Sequence, residues 1–409
     1  MNIICKLFER PEVDNIAKSL GNMMISGVEN TGRNAAYRDL VRHQLYKNRT
    51  LLIFQDNVTL EEHSQTKALI SPSGRKIYDI SLSSTDTNID ILTAFQSPND
   101  KASFIVMLLL CFGNVGEEDR EDASTFYSYL IRALNSLGER YTLESLMKIK
   151  VEDAIDIVKR SSMDEDDKEE AIAFLDDGKT YSSFRGWWKC RSMLKTSGIC
   201  KGLSGDRTCL DVFSKGNVSI ISGYTGEDEK TRKALLNAIL YAVKACAERS
   251  ATLHPMSIIL KNMDFMDGEV AEALFEYNRS IDFVVYVLMA DISKFIEKNG
   301  NQLLQKVKSF LIFAQESYGN AKFWSDFFGN RDVQERDFSY TRRKGFNPFG
   351  TMWNTGGVVD TPKKYHSTTM GVHKVNKPIY PPEIFQNLRS DEVMCYLRDP
   401  LIRRKSRVE

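Results

Sequence analysis

The sequence predicts an α/β protein whose mostly parallel sheet is interrupted by an all-α insertion. Three observations carry that expectation. Short, almost wholly apolar runs recur in both halves of the chain: NMMISG (22–27), TLLIFQD (50–56), NVSIISG (217–223), then MSIILK, DFVVYVLMA and SFLIFAQ. Runs of this kind are expected of central parallel strands buried on both faces. Helix-patterned stretches separate them, giving the strand–helix–strand order of parallel crossover units. Between about 100 and 200 the strand signal stops and helical periodicity takes over. The division is an α/β first part over 1–100, an all-α inserted domain over 101–212 and an α/β second part over 213–409.

In the first part, the strand at 22–27 runs through a glycine-bearing turn into the helix AAYRDLVRHQLYK, and KIYDISLSS (76–84) reads as a further strand. FIVMLLLCF (104–112), the longest apolar run, is far shorter than the roughly 20 residues of a membrane span, so it reads as a buried helix. In ASTFYSYLIRALNSL, Phe126, Leu130, Ala133, Leu134 and Leu137 recur at helical spacing. YTLESLMKI and VEDAIDIVKR continue that style. SSMDEDDKEEAIAFLDD (161–177) is acidic and reads as a solvated helix start with Ser162 or Asp164 as N-cap, not as a metal site. Trp187 and Trp188 are adjacent and cannot share a helix face, which places one in the core and one at a domain junction. In the second part, Leu235, Ala238, Ile239, Ala242 and Cys246 form one apolar helical stripe.

With 42% hydrophobic residues the chain can bury a large core. Lys+Arg and Asp+Glu are both 55, so the formal net charge is zero and a globally basic nucleic-acid binder is not indicated. MNIICKLFERPEVDN lacks the apolar core and cleavage site of a signal peptide. The seven cysteines are scattered without a CxxC pair, which fits reduced thiols in the cytoplasm better than a zinc site. No repeats and no low-complexity linker are present.

Chemistry concentrates in a few places. After the first strand, Gly27, four residues and Gly32 precede a helix, the backbone outline of a phosphate loop. Gly27, Thr31, Gly32, Arg33 and Asn34 are the candidate nucleotide-binding residues. The usual lysine is replaced by Arg33, a cationic but planar fork, and the metal-binding hydroxyl by Asn34. In P-loop ATPases a later apolar strand ends in Asp-Glu, which hold Mg²⁺ and polarise water; after Ile258-Ile259-Leu260 this chain has Lys261 and Asn262. A lysine there repels a divalent cation, and Asp264, the nearest acid, comes three residues late. SGYTGEDEKTR (222–232) reads as an ordinary strand-to-helix turn. His43, His63, His254, His366 and His373 read as isolated residues, with no Ser-His-Asp or Cys-His arrangement and no metal site. ERDFSYTRRKGF (335–346) interleaves Arg342, Arg343 and Lys344 with aromatic residues, which suits nucleic-acid backbone and bases but also an ordinary solvated strand or loop. RDPLIRRKSRVE reads as a basic, solvated tail.

The order of these features resembles the type IV secretion coupling proteins, the TraG/TraD-like branch of the FtsK/HerA superfamily. The resemblance rests on the degenerate loop, the helical insertion, the later strand, Asn278-Arg279-Ser280, the aromatic-rich Phe323–Arg331 and the closing KPIYPPEIFQNLRSDEVMCYLRDP. It implies a RecA-like P-loop NTPase fold, hexameric rings, and coupling of ATP hydrolysis to delivery of DNA or protein into a conjugation channel. It also implies Arg279 as an arginine reaching a neighbouring subunit's nucleotide. The chain departs from the family at the lysine, hydroxyl, Asp and Glu positions, and none of its segments reads as the membrane anchor many members carry. Three readings stay open. The first is a pseudo-ATPase acting by binding DNA, relaxosome or secretion-channel proteins, as a homo-oligomer or beside an active relative, cytoplasmic and brought to the inner face of the membrane by partners. The second is a divergent ATPase using ATP and Mg²⁺ through Arg33 with Asp264 or Glu269. The third is an unrelated α/β interaction protein.

Overall fold

The computed structural model describes residues 22–28, 31–47, 49–82, 89–178, 185–214, 216–249, 255–263, 266, 268–276, 283–300, 302–344, 364–398 and 401–407. These fall into two compact units, one running to Glu316 and resuming at Leu388, the other spanning Ser317–Asn387.

The first unit is built on a nine-stranded sheet. Its first part contributes β1 (Met23–Ser26), α1 (Arg33–Tyr46), β2 (Thr50–Val58), α2 (Leu60–Ile70) and β3 (Ile77–Ile80). After the helical segment come β6 (Val218–Tyr224), β7 (Met256–Lys261), β8 (Phe283–Met289), β9 (Ser309–Ile312), β12 (Glu392–Arg398) and β13 (Leu401–Arg407). The sheet order is β13-β12-β9-β1-β8-β7-β2-β6-β3. From β9 to β3 every pairing is parallel, while β12 runs antiparallel to both β9 and β13. Strands β1, β7, β8 and β9 are buried at every residue, as the unbroken apolar runs require. The basic closing segment is therefore not a free tail: Leu401–Arg407 pairs with β12 as an edge strand. Positive side chains on an edge strand keep it from templating another chain, which is why it reads as solvated in sequence.

Between β3 and β6 lies the helical segment. It contains α3 (Pro98–Leu110), α4 (Glu117–Leu137), α5 (Leu143–Lys148), α6 (Val151–Arg160), α7 (Glu165–Gly178) and α8 (Arg185–Thr196), with two short helices at Ile199–Gly202 and Cys209–Val212. At its ends the two-residue strands β4 (Ile89–Asp90) and β5 (Arg207–Thr208) pair in parallel. Phe126, Leu130, Ala133 and Leu134 of α4 are buried, as their spacing predicts. Trp187 is buried against Phe126 and Tyr127. Trp188 is half-buried, with the Arg191 guanidinium 3.9 Å from its ring centre. Helix α7 opens on Glu165, Asp166 and Asp167, and the Asp164 carboxylate accepts from the Asp166 N–H. That is an acidic helix start of the kind the dipole favours, and among the described residues no group of three His, Cys, Asp or Glu gathers to hold a metal. No described helix is long and apolar enough to cross a membrane.

Beyond the helical segment, α9 (Glu229–Arg249) buries Leu235, Ala238, Ile239, Ala242 and Cys246, and α10 (Gly268–Glu276) and α11 (Ile292–Asn299) follow β7 and β8. The second unit holds α12 (Tyr318–Phe328), the antiparallel ribbon of β10 (Asn330–Lys344) and β11 (Lys364–Pro378), and α13 (Pro382–Gln386). Its small core is aromatic: Phe328 meets the rings of Tyr380 and Phe385, and Ser325 donates to the Tyr380 carbonyl at 2.7 Å.

Candidate functional site

The loop between β1 and α1 sits at the C-terminal edge of a central strand, where open α/β sheets place ligands. Its backbone is tied down. The Gly27 N–H donates to the Met289 carbonyl at 3.1 Å, the Val28 N–H to Ala314 at 3.1 Å, and the Thr31 N–H to Val28 at 3.2 Å. The Thr31 hydroxyl donates to the same Val28 carbonyl at 2.6 Å. Helix α1 starts at Arg33 with no side-chain cap and no acid in its first turn, so the helix's own first turn does nothing to offset the partial positive charge of its terminus. Arg33 is only 1% exposed, whereas Asn34 is exposed.

The two loop glycines have a neighbour that sequence reading missed. A Cβ on Gly27 would lie 2.6 Å from the Phe313 Cβ, and one on Gly32 would lie 2.5 Å from the Phe313 ring. Phe313 follows β9 directly and is fully buried, its N–H donating to the Ser26 carbonyl at 2.8 Å. Close approach to this ring is thus one physical reason for glycine at both positions. Gln315 completes the floor, donating to the Phe313 carbonyl at 2.8 Å and accepting from the Ser26 hydroxyl at 3.3 Å.

Lys261 ends β7, which is separated from β1 by β8. Its ammonium donates to Glu62 of α2 at 2.9 Å and lies 5.7 Å from the centre of the Tyr37 ring. Asn262 takes a left-handed backbone with φ of 60° and donates its N–H to Leu288 at 2.8 Å; asparagine tolerates that region better than most residues. Glu62 is itself held by Thr59 in a capping box at the start of α2. Burial works to raise its pKa, but hydrogen bonds from the Thr59 N–H and from Lys261 outweigh it, and the carboxyl ends below its ordinary value. Asn34 and Lys261 line one cavity of about 210 Å³ between α1 and α2.

His63 is not isolated. It is buried, its Nδ1 is 2.9 Å from the Ser222 hydroxyl and its Nε2 is 2.9 Å from Asp79. Gln55 donates to Ser222 at 3.0 Å, and Lys67 donates to Asp79 at 2.8 Å. This is a Ser–His–Asp chain, which overturns the expectation that none forms. Ser222 is 0% exposed, however, so no substrate can approach its oxygen. The chain instead bolts α2 onto the ends of β2, β3 and β6. The sequence hides it because its members come from separate elements; only the i,i+4 spacing of His63 and Lys67 hints at a shared helix face. Burial tends to raise the Asp79 pKa, but its bonds to His63 and Lys67 pull it below the ordinary value. A depressed carboxyl stabilises the fold above its unfolded pKa, about 4, and that stability is lost as pH falls through the folded value. Denaturant midpoints should therefore drop between about pH 5 and pH 3, and Asp79→Asn should flatten that slope; an unchanged slope would refute the assignment.

The remaining candidates are quickly placed. Residues 222–232 form a strand-to-helix turn in which Asp228 accepts from the Thr231 N–H at 2.9 Å. Arg279 and Asp264 lie outside the described residues, and Glu269 falls in the first turn of α10. Arg342, Arg343 and Lys344 end β10 in register with His366, Tyr365 and Lys364. They belong to the second compact unit, whereas the loop and β7 belong to the first.

A largely parallel sheet with a glycine loop leading from a central strand into α1 defines an α/β protein of the RecA-like P-loop fold. Solved structures carry the same arrangement. The bacterial conjugative coupling protein TrwB, in an unbound form, matches with a TM-score of 0.59 at 12% identity over 95% of this chain and 84% of that one. TrwB in complex with a non-hydrolysable ATP analogue gives 0.60 at 12% identity, over 96% and 86%. VirB4 of Thermoanaerobacter pseudethanolicus gives 0.56 at 9% identity, over 95% and 89%. At these identities the likeness establishes the fold. Neither a family model nor a curated protein matches the sequence.

TrwB has been captured with ADP and Mg²⁺, so the fit of Mg·ATP to the residues of this chain can be judged. It is poor. Among the described residues, the end of β7, where the resemblance would put metal-binding acids, presents an ammonium paired to Glu62; Asn34, where the resemblance would put a hydroxyl, offers an amide; and Phe313 lies flush against both loop glycines.

Proposed function

We propose that this chain is a coupling-protein-like pseudo-ATPase that serves type IV secretion, in DNA or protein transfer, through binding and not hydrolysis. The observation that carries the reading is the Lys261–Glu62 pair at the end of β7, because a cation there opposes the Mg²⁺ on which phosphoryl transfer in this fold depends. Under this reading the chain divides at 1–100, 101–212 and 213–409 into two RecA-like parts around an all-α domain. Gly27, Thr31, Gly32, Arg33 and Asn34 are then the remnant of the nucleotide loop, and Arg279 the remnant of an arginine serving a neighbouring subunit. Its partners are DNA, relaxosome or secretion-channel proteins, and either further copies of itself or an active relative, at the inner face of the cell membrane. The ribbon supports a nucleic-acid role: a two-stranded β-ribbon fits a DNA groove, and Arg342, Arg343 and Lys344 pair in register with His366, Tyr365 and Lys364 at its far end.

One preparation tests both halves of the proposal. ATP turnover with Mg²⁺ or Mn²⁺ should not exceed the protein-free rate, and turnover abolished by Arg33→Ala would overturn the pseudo-ATPase reading. DNA affinity of the same protein should fall with salt, and replacing Arg342, Arg343 and Lys344 by alanine should reduce the salt slope by about 3, one for each phosphate no longer neutralised. Affinity and slope unchanged in that variant would remove the ribbon from the proposal.

A further inference from the structure

The cavity between α1 and α2 is badly suited to a divalent cation, and that mismatch says what it does suit. At its floor is Lys261, 5% exposed, with its ammonium toward Glu62. At its rim are Arg38, Asn34 and Gln65, all exposed. Of the lining residues one carboxylate, Glu62, therefore faces two permanent cations, and the Asn34 amide adds a neutral donor, while the Gln65 amide already donates to the exposed Glu61 at 3.3 Å. An ammonium has three N–H donors, of which the salt bridge to Glu62 uses one. Asn34, the second residue of α1, lines the cavity from that helix's first turn, the end at which a helix carries partial positive charge. A metal ion placed here would meet two like charges, whereas an oxyanion would meet donors on several sides.

We infer that this cavity is a metal-independent oxyanion site, in which the Lys261 ammonium holds the place a divalent cation takes in working P-loop motors. Its ligand is a phosphate-sized group: about 210 Å³ admits inorganic phosphate, pyrophosphate or the terminal phosphates of a nucleotide, with base and ribose left outside. Glu62 is the internal counter-ion and competes with the ligand for Lys261, so the site exchanges one carboxylate for another anion and no bond is made or broken. The inference rests on the pseudo-ATPase reading, since it requires that no metal be bound between loop and strand.

The test is titration calorimetry of the whole protein with inorganic phosphate, pyrophosphate, ATP and adenosine, each in EDTA and again with Mg²⁺. Phosphate or pyrophosphate should bind saturably in EDTA, adenosine should not, and Mg²⁺ should not tighten binding. If ATP binds and pyrophosphate competes with it, the nucleotide is one source of the group; if ATP fails while phosphate binds, the site takes the free ion. Glu62→Gln should tighten binding about tenfold by removing the competing carboxylate, and Lys261→Met should weaken it by at least that factor, each close to the strength of one charge-assisted hydrogen bond. Circular dichroism of Lys261→Met, and the Lys261→Met/Glu62→Gln double variant that leaves no unpaired charge, guard against misfolding. Binding that appears only with Mg²⁺, no binding to the folded protein, or binding unchanged in Lys261→Met would each overturn the inference. Metal-dependent ATP turnover would instead defeat the reading it rests on, whereas absence of both turnover and anion binding would defeat this inference alone.

Discussion

Gly27→Ala should destabilise the protein by about 2–5 kcal/mol, the sum of overpacking and of holding a side chain in a disfavoured backbone conformation. Gly27 has φ of +151°, and its added Cβ would sit 2.6 Å from that of Phe313. Gly32→Ala shares the overlap but not the backbone strain, as φ there is −56°, so its loss should be smaller, about 1–3 kcal/mol. Urea unfolding of each variant with and without Phe313→Ala forms a double-mutant cycle. If the glycines serve the ring, the two alanines will do less damage once Phe313 is trimmed, and the cycle will show a coupling of at least about 0.5 kcal/mol. Strict additivity would mean that Phe313 is not what the glycines accommodate.

Arg232→Met should cost about 3–5 kcal/mol, because it leaves the Asp56 carboxylate buried without its partner. The pair joins the end of β2 to the first turn of α9, and both side chains are less than a tenth exposed. Asp56 shows how demanding the location is. Burial raises its pKa more than its bonds to Arg232 lower it, so the carboxyl stays above its ordinary value even when paired. Asp56→Asn added to Arg232→Met should recover much of the loss by removing the stranded charge. A single variant as stable as the parent, measured by the same unfolding curves, would show that water reaches the pair freely.

How far the sequence could be read follows the burial of each element. Strands β1, β2 and β6 to β9 were legible because they lie inside the sheet and carry apolar residues on both faces. The edge hairpin of β12 and β13 was not, since an edge strand keeps polar residues that look like a tail. The ribbon of β10 and β11 was read only as a strand or loop near 335–346, because its pairing spans a gap that local pattern cannot bridge. At the site, Gly27 and Gly32 announced themselves by spacing alone. The capping box of Thr59 and Glu62 emerged only with the structure, and nothing local tied Glu62 to Lys261. Phe313, Gln315 and the chain from Ser222 through His63 to Asp79 depend on which strands become neighbours, and that is decided by the whole fold.

The parallel pairing of Ile89–Asp90 with Arg207–Thr208 bears on how the helical segment is attached. Chains entering and leaving the helical segment point the same way and run about 5 Å apart, the ordinary spacing of paired strands. A chain arriving at Asp90 is thus already aimed along the path that departs from Thr208. A chain passing straight from Asp90 to Thr208 would have to cross only that spacing, so the two ends of the helical segment meet the sheet unit side by side.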